Sequence, residues 1–262
     1  RYREWNHEFG HCGYTFAMPV VYTWYPTFGW YDFEPKDYRW FYNMLLVTSN
    51  AGQHTSQRTP IIPFVHWHTT APPDNPDPSV EQFSKEKYQE LLWHMLLRGH
   101  DTFFLWCTGR ELATEIQLVH EVYRESLQYS GFIDRGVPIE FDVPSKPGPV
   151  VSGLRLGNRV LARRTDFGTG TGNETLALAG GGEVSVAAKR GMQILTVEQT
   201  SRHTGILSDH NGRLRFPIGF YEFPGEKEKL QRMAESGINL VRCSNRASLD
   251  SAHAQGMMGW VP

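Results

Sequence analysis

The stretch Ser84-Lys-Glu-Lys-Tyr-Gln-Glu-Leu-Leu-Trp-His-Met-Leu-Leu-Arg98, then Gly99, then Thr102-Phe-Phe-Leu-Trp-Cys107, decides how this chain reads. Tyr88, Leu91, Leu92, Met95 and Leu96 recur at the i, i+3, i+4, i+7, i+8 spacing of a one-faced helix. Gly99 suits a left-handed helix stop, and the run to Cys107 is short, apolar and strand-like. The same order of helix, glycine and apolar strand returns at 226–236, Gly237 and Ile238–Cys243. It appears again at 247–255, Gly256 and Met257–Val261. Further strands are expected at Pro19–Trp24, Ile61–Trp67 and Phe216–Tyr221, with helices over 35–47 and 111–129. Apolar strands alternating with amphipathic helices predict a parallel sheet covered by helices.

Between these blocks the pattern changes. Residues 149–198 give short strand runs broken by turn residues: Val150–Leu156, Gly157-Asn158, Arg159–Arg164, Glu174–Ala179, Glu183–Ala188 and Met192–Val197. This predicts an antiparallel β module, and Asn211-Gly212 marks one more hairpin before the next β/α block. The expected organisation is therefore β/α units over 1–138, the β module over 139–202, and a hairpin with further β/α units over 203–262. Six parallel strands are readable outside the module, fewer than the eight of a closed barrel of about 250 residues. Both ends read as cut, and the expected fold class is α/β, with incomplete or permuted (β/α) barrel units plus an antiparallel, sandwich-like module.

Composition narrows the function. The 262 residues are 40% hydrophobic and 21% charged, enough for a sizeable core, and no apolar run reaches the roughly 18 residues of a membrane helix. With 26 basic and 28 acidic side chains the net charge is -2, so no positive field is available to hold a nucleic acid. Cys12, Cys107 and Cys243 are widely spaced and odd in number, which excludes a disulfide framework and leaves the compartment open.

Phe216-Pro-Ile-Gly-Phe-Tyr-Glu-Phe-Pro224, followed by Leu230-Gln-Arg-Met-Ala-Glu-Ser-Gly-Ile-Asn-Leu-Val-Arg242, resembles the first β/α unit of β/α-barrel glycoside hydrolases. Met18–Trp24, Pro63–His68 and Asp101–Cys107 are similar to later strands of such barrels, and 149–198 resembles the β-sandwich that often follows them. The order is permuted, since the first-strand likeness comes after the late-strand likeness. The resemblance implies hydrolysis of a glycosidic bond in an oligo- or polysaccharide by carboxylate acid/base chemistry, with no obligatory cofactor and no resident metal. Exposed parallel edges add the expectation of association with another copy or with the rest of a barrel.

Active groups of barrels sit at strand C-terminal ends. There the sequence offers Tyr22, Trp24, His66, His68, Trp106, Glu222 and Arg242. Glu222 and, in the loop after the Trp24 strand, Asp32 are the candidate catalytic carboxylates; Glu34 beside Pro35 reads as a helix-start residue. Trp24 and Trp106 are candidate sugar platforms, because an indole offers a flat apolar face and an N–H edge to a ring with C–H groups on one side. His66 and His68, two apart on a strand, share one face, where they suit sugar hydroxyls, structural hydrogen bonds or a metal. His7-Glu-Phe-Gly-His11 matches the H-E-x-x-H zinc pattern, but Cys12-Gly13 would end a helix at once and a clear third ligand is missing. The alternatives to a glycosidase are therefore a zinc hydrolase using His7, Glu8 and His11 or His66 and His68, and a non-catalytic glycan-binding or structural protein. Thr169-Gly-Thr-Gly-Asn173 lies between antiparallel strands and reads as a turn, not a phosphate loop.

Overall fold

The structure is a computed structural model and describes residues 14–22, 30–56, 58–69, 79–106, 112–168, 170–198, 207–208, 214–215 and 218–261. The chain divides into two compact units, Arg1–Thr200 and Ser201–Pro262.

The first unit begins with three parallel strands in sequence order: β1 (Val20–Tyr22), β2 (Phe64–His66) and β3 (Phe104–Leu105). Helix α1 (Lys36–His54) connects β1 to β2, and α2 (Lys85–Leu96) connects β2 to β3. After β3 come α3 (Leu112–Ser126), a 3-10 turn (Leu127–Tyr129) and α4 (Ser130–Arg135). Ser84 caps α2 by accepting the Lys87 N–H at 3.3 Å, and Gly99 takes φ +88° at its end, the left-handed stop that the sequence predicts. Alternation along the strands separates two faces. Val21 and Val65 are buried in one core with Phe41, Leu45, Leu91 and Leu92 of the helices. On the opposite face Val20, Phe64 and Phe104 lie in register; Val20 is 40% and Phe104 50% exposed.

The chain then builds an antiparallel sheet in the order β4 (Val137–Pro138), β5 (Val150–Leu156), β6 (Arg159–Thr165), β9 (Met192–Thr196). The hairpin β7 (Glu174–Ala177) and β8 (Glu183–Val186) buries Val184 and Val186 with Val151, Val160 and Ala162 of that sheet. Gly157, at φ +63°, opens the two-residue turn that pairs Leu156 with Arg159.

The opposite face of the antiparallel sheet meets α2 through a directed chain of buried hydrogen bonds. Arg98 Nε donates to Ser152 Oγ (2.8 Å), whose remaining proton faces His94 Nδ1 (2.7 Å). Thr165 Oγ1 donates to Glu90 Oε2 (2.6 Å), so it accepts from His94 Nε2 (3.0 Å). Glu90 also receives the Arg163 fork, from Nε at 2.9 Å and Nη2 at 2.7 Å. Each proton has one assignment, which makes His94 the neutral Nε2–H tautomer. Burial, with Arg98 adding to it, pushes the His94 pKa down to about 3. Burial alone would raise Glu90, but Arg163 and Thr165 overcome it and hold the carboxyl at about 2. Arg98, lowered by burial to about 10, stays charged at neutral pH and also donates to Ser49 and to the carbonyls of Asp142 and Val151. Close approach reinforces the junction: a β-carbon at Gly52 of α1 would collide with the Arg98 carbonyl and stand 2.9 Å from the Phe141 ring.

The second unit holds the two-stranded pair β10 (Leu207–Ser208) and β11 (Leu214–Arg215), and a parallel sheet β12 (Gly219–Phe220), β13 (Leu240–Arg242), β14 (Met258–Trp260). Helices α5 (Lys227–Glu235) and α6 (Arg246–Ala254) connect the strands. Gly237 and Gly256 take φ +90° and +70° after them, repeating the Gly99 stop. Asn245 caps α6 with a reciprocal Ser248 box. Val241 and Cys243 are buried with Leu230, Ala252 and Met257.

The fold is thus mixed α/β with an antiparallel sheet, as the alternation of patterns predicts. Among the described residues no sheet closes into a barrel: the parallel strands form two sheets of three, and three strands cannot curl back on themselves as about eight do.

Candidate functional site

The C-terminal ends of β1, β2 and β3 bring four of the expected residues together. The backbone N–H of Trp106 donates to the Val65 carbonyl at 3.0 Å, which carries the β2–β3 ladder one residue past β3 and sets Trp106 level with His66. Tyr22 is paired with His66 across the β1–β2 register. Period-two alternation puts all three side chains on the face that carries Val20, Phe64 and Phe104. There the rings of Tyr22 and Trp106 stack at 5.0 Å and 14°. The His66 ring stands nearly perpendicular to both, at 6.5 Å from Tyr22 and 6.1 Å from Trp106, and His68 lies 5.2 Å from His66. Burial raises the Tyr22 pKa, which keeps the phenol protonated.

His66 is 1% exposed and Trp106 38%, so a ligand arriving at this mouth meets the aromatic pair first. The expectation that His66 touches sugar hydroxyls directly gives way to a supporting position. What lies beneath it is a residue the sequence reading passed over. Glu115, on α3, is fully buried and aims one carboxylate oxygen at His66 Nδ1 (3.1 Å). Its other oxygen accepts the Trp67 backbone N–H and the Tyr88 hydroxyl, both at 2.9 Å. The strand β2 and the helix α2 thus converge on one carboxylate of α3, through His66, the Trp67 N–H just past β2 and Tyr88. The signal was present in the spacing: Glu115 shares an inward stripe with buried Leu118 and Val122, while Ile116 and Tyr123 of the same helix are exposed. The segment after β2 is tied down as well, by Trp67 Nε1 on the Phe83 carbonyl (2.6 Å) and Thr69 Oγ1 on the Glu81 carbonyl (3.0 Å).

The other expected residues are placed differently. Asp32 is 87% exposed at its side chain and pairs with Arg39 of α1 at 2.7 Å, and Glu34 pairs with the same guanidinium at 2.7 Å. Both carboxylates thus meet α1 near its start, where the helix-start reading of Glu34 and Asp37 places acidic residues. Glu222 and Arg242 belong to the second unit. Glu222 is exposed just beyond β12, and Arg242 lies 4.4 Å over the ring of Tyr221, itself 6.2 Å from Trp260. Trp24, His7, Glu8, His11, Cys12, Cys107 and the Asn211-Gly212 turn lie outside the described residues. Among the described residues no group of three His, Cys, Asp or Glu side chains is placed to hold a metal ion, and no helix is long and apolar enough to cross a membrane. Comparison with known proteins finds no matching family model, curated protein or solved structure.

Proposed function

We propose that this chain is a glycoside hydrolase-like protein that takes an oligo- or polysaccharide at the mouth formed by Tyr22 and Trp106. What carries the reading is the stacked, partly exposed aromatic pair at the C-terminal ends of parallel strands, held from below by His66 and Glu115. A partly exposed indole supplies the apolar face that a pyranose ring covers with its C–H groups. The pair sits at strand tips, where α/β folds gather ligands. The barrel-type β/α units named in the sequence likeness enter here as part of the proposal. Bond cleavage would require two carboxyl groups across the scissile bond. Glu222 and Asp32, the carboxylates expected from the sequence, belong to different units and are each tested alone, and binding by Tyr22 and Trp106 is proposed independently of either.

The test is titration of the full chain with cellotetraose, xylotetraose and chitotetraose, followed by intrinsic fluorescence and calorimetry. Saturable binding of at least one, weakened tenfold or more in Trp106→Ala, is the expected result. Turnover lost in Glu222→Gln or Asp32→Asn with binding retained would establish hydrolysis. Binding without turnover in the unaltered protein would assign a glycan-binding role. If none of the three sugars binds, or Trp106→Ala binds as well as the parent, the proposal fails.

A further inference from the structure

From the contacts around Glu115 we infer that it is a positioning residue, which fixes the tautomer of His66 and through it the floor of the aromatic mouth. The inference rests on the carbohydrate reading of that mouth. An ionised carboxylate only accepts hydrogen bonds. Oε1 of Glu115 takes the Trp67 N–H and the Tyr88 O–H, and the backbone N–H, which can only donate, fixes that oxygen as an acceptor. Oε2 faces His66 Nδ1 at 3.1 Å, so that nitrogen carries the proton. The neutral ring is therefore the Nδ1–H tautomer, with its lone pair on Nε2, the atom farther from Glu115. This is how a carboxylate behind a histidine fixes its tautomer and the orientation of its ring. Tyr22 and Trp106 flank the same ring, so the orientation of the imidazole and the seat of the aromatic pair are set together.

Glu115→Gln gives a sharp outcome, because the two side chains have the same shape. The glutamine has one oxygen for the two donors at Trp67 and Tyr88, which leaves its NH2 toward His66. That amide now donates to Nδ1, and the ring proton moves to Nε2. The experiment is 15N NMR of the histidine ring nitrogens in the full chain at pH 8, assigned with His66→Gln, alongside binding of the same three tetrasaccharides. In the unaltered protein the His66 Nδ1 shift is expected in the protonated range and Nε2 in the lone-pair range, and Glu115→Gln exchanges them. Sugar affinity falls about tenfold in Glu115→Gln, because Tyr22 and Trp106 lose the ring orientation that seats them. Tyr88→Phe is the control: it removes a hydrogen bond from the same carboxylate but leaves the tautomer as it was, with affinity within twofold of the parent.

A protonated Nε2 in the unaltered protein overturns the inference, as does a tautomer unchanged in Glu115→Gln. Equal loss of affinity in Glu115→Gln and Tyr88→Phe also overturns it, because that pattern belongs to a purely structural carboxylate. If no sugar binds the unaltered protein the carbohydrate reading falls, and the role of Glu115 at the mouth falls with it. The ring spectra still decide the tautomer in that case, so the two failures are told apart.

Discussion

Replacing Glu90 by Gln tests whether the buried chain between α2 and the antiparallel sheet holds the first unit together. Glu90 receives three hydrogen bonds, two from Arg163 and one from Thr165, and its side chain is 16% exposed. Its carboxyl titrates near 2 instead of the ordinary 4.5. At about 1.4 kcal/mol per pH unit, that difference corresponds to roughly 3 kcal/mol of preference for the charged form. Residual solvent contact trims the figure, so Glu90→Gln should lower unfolding free energy at pH 7 by about 2 to 3 kcal/mol. The sign with pH follows from the depressed folded value. The stabilisation is complete above 4.5 and is lost as pH falls through about 2, because the unfolded carboxyl takes up its proton first. Urea unfolding of parent and variant followed by tryptophan fluorescence, at pH 7 and at steps down to pH 2.5, reads this directly. The two midpoints should differ widely at pH 7 and converge in acid, with similar slopes in denaturant. A gap under 0.5 kcal/mol at pH 7, or one that persists unchanged to pH 2.5, would refute the reasoning.

Other outcomes follow from the same contacts. His94 and His100 are buried with pKa values pushed down by burial to about 3 and about 4. Each therefore contributes stability above 6.5 that is lost as pH falls toward those values. His94→Gln should flatten the stability profile between pH 6.5 and 4 by up to about 1.4 kcal/mol per pH unit, read by thermal unfolding across that range; an unchanged slope would count against a neutral His94. Gly52→Ala should destabilise by about 1 to 3 kcal/mol through overpacking against the Arg98 carbonyl and the Phe141 ring, and a neutral result in urea would show that α1 can shift. Asn245→Ala should cost about 1 kcal/mol by removing the α6 cap, seen as faster amide exchange at the start of that helix; unchanged exchange there would show that the cap is dispensable.

Local pattern carried most of the fold. The strands at 150–156 and 159–165 fall almost on their expected bounds, because Gly157-Asn158 fixes a two-residue turn and the flanking residues alternate. Helix α2 and its Gly99 stop are equally local. Helix α1 extends to His54, past the expected end at 47, because Thr48 and Ser49 turn their hydroxyls back onto the Met44 and Leu45 carbonyls and stay buried in the helix. The meeting of Tyr22, His66 and Trp106 was readable from strand ends alone. Glu115 was not singled out, since a lone glutamate on a helix reads as solvated, and its partners stand 27 to 49 residues away in sequence. Glu90 and Arg163 were missed for the same reason: their 73-residue separation leaves no trace in any window of helix or strand length.

The side of the antiparallel sheet that carries Ser152, Arg163 and Thr165 is wet chemistry in a dry place, its polar groups met among the described residues by Glu90, His94 and Arg98. Excised as residues 139–198 and grafted onto another protein, the sheet would present an unmatched guanidinium and two stranded hydroxyls where the helix had been. It is not a portable cassette. Any deletion or fusion that moves it must carry residues 84–100 along.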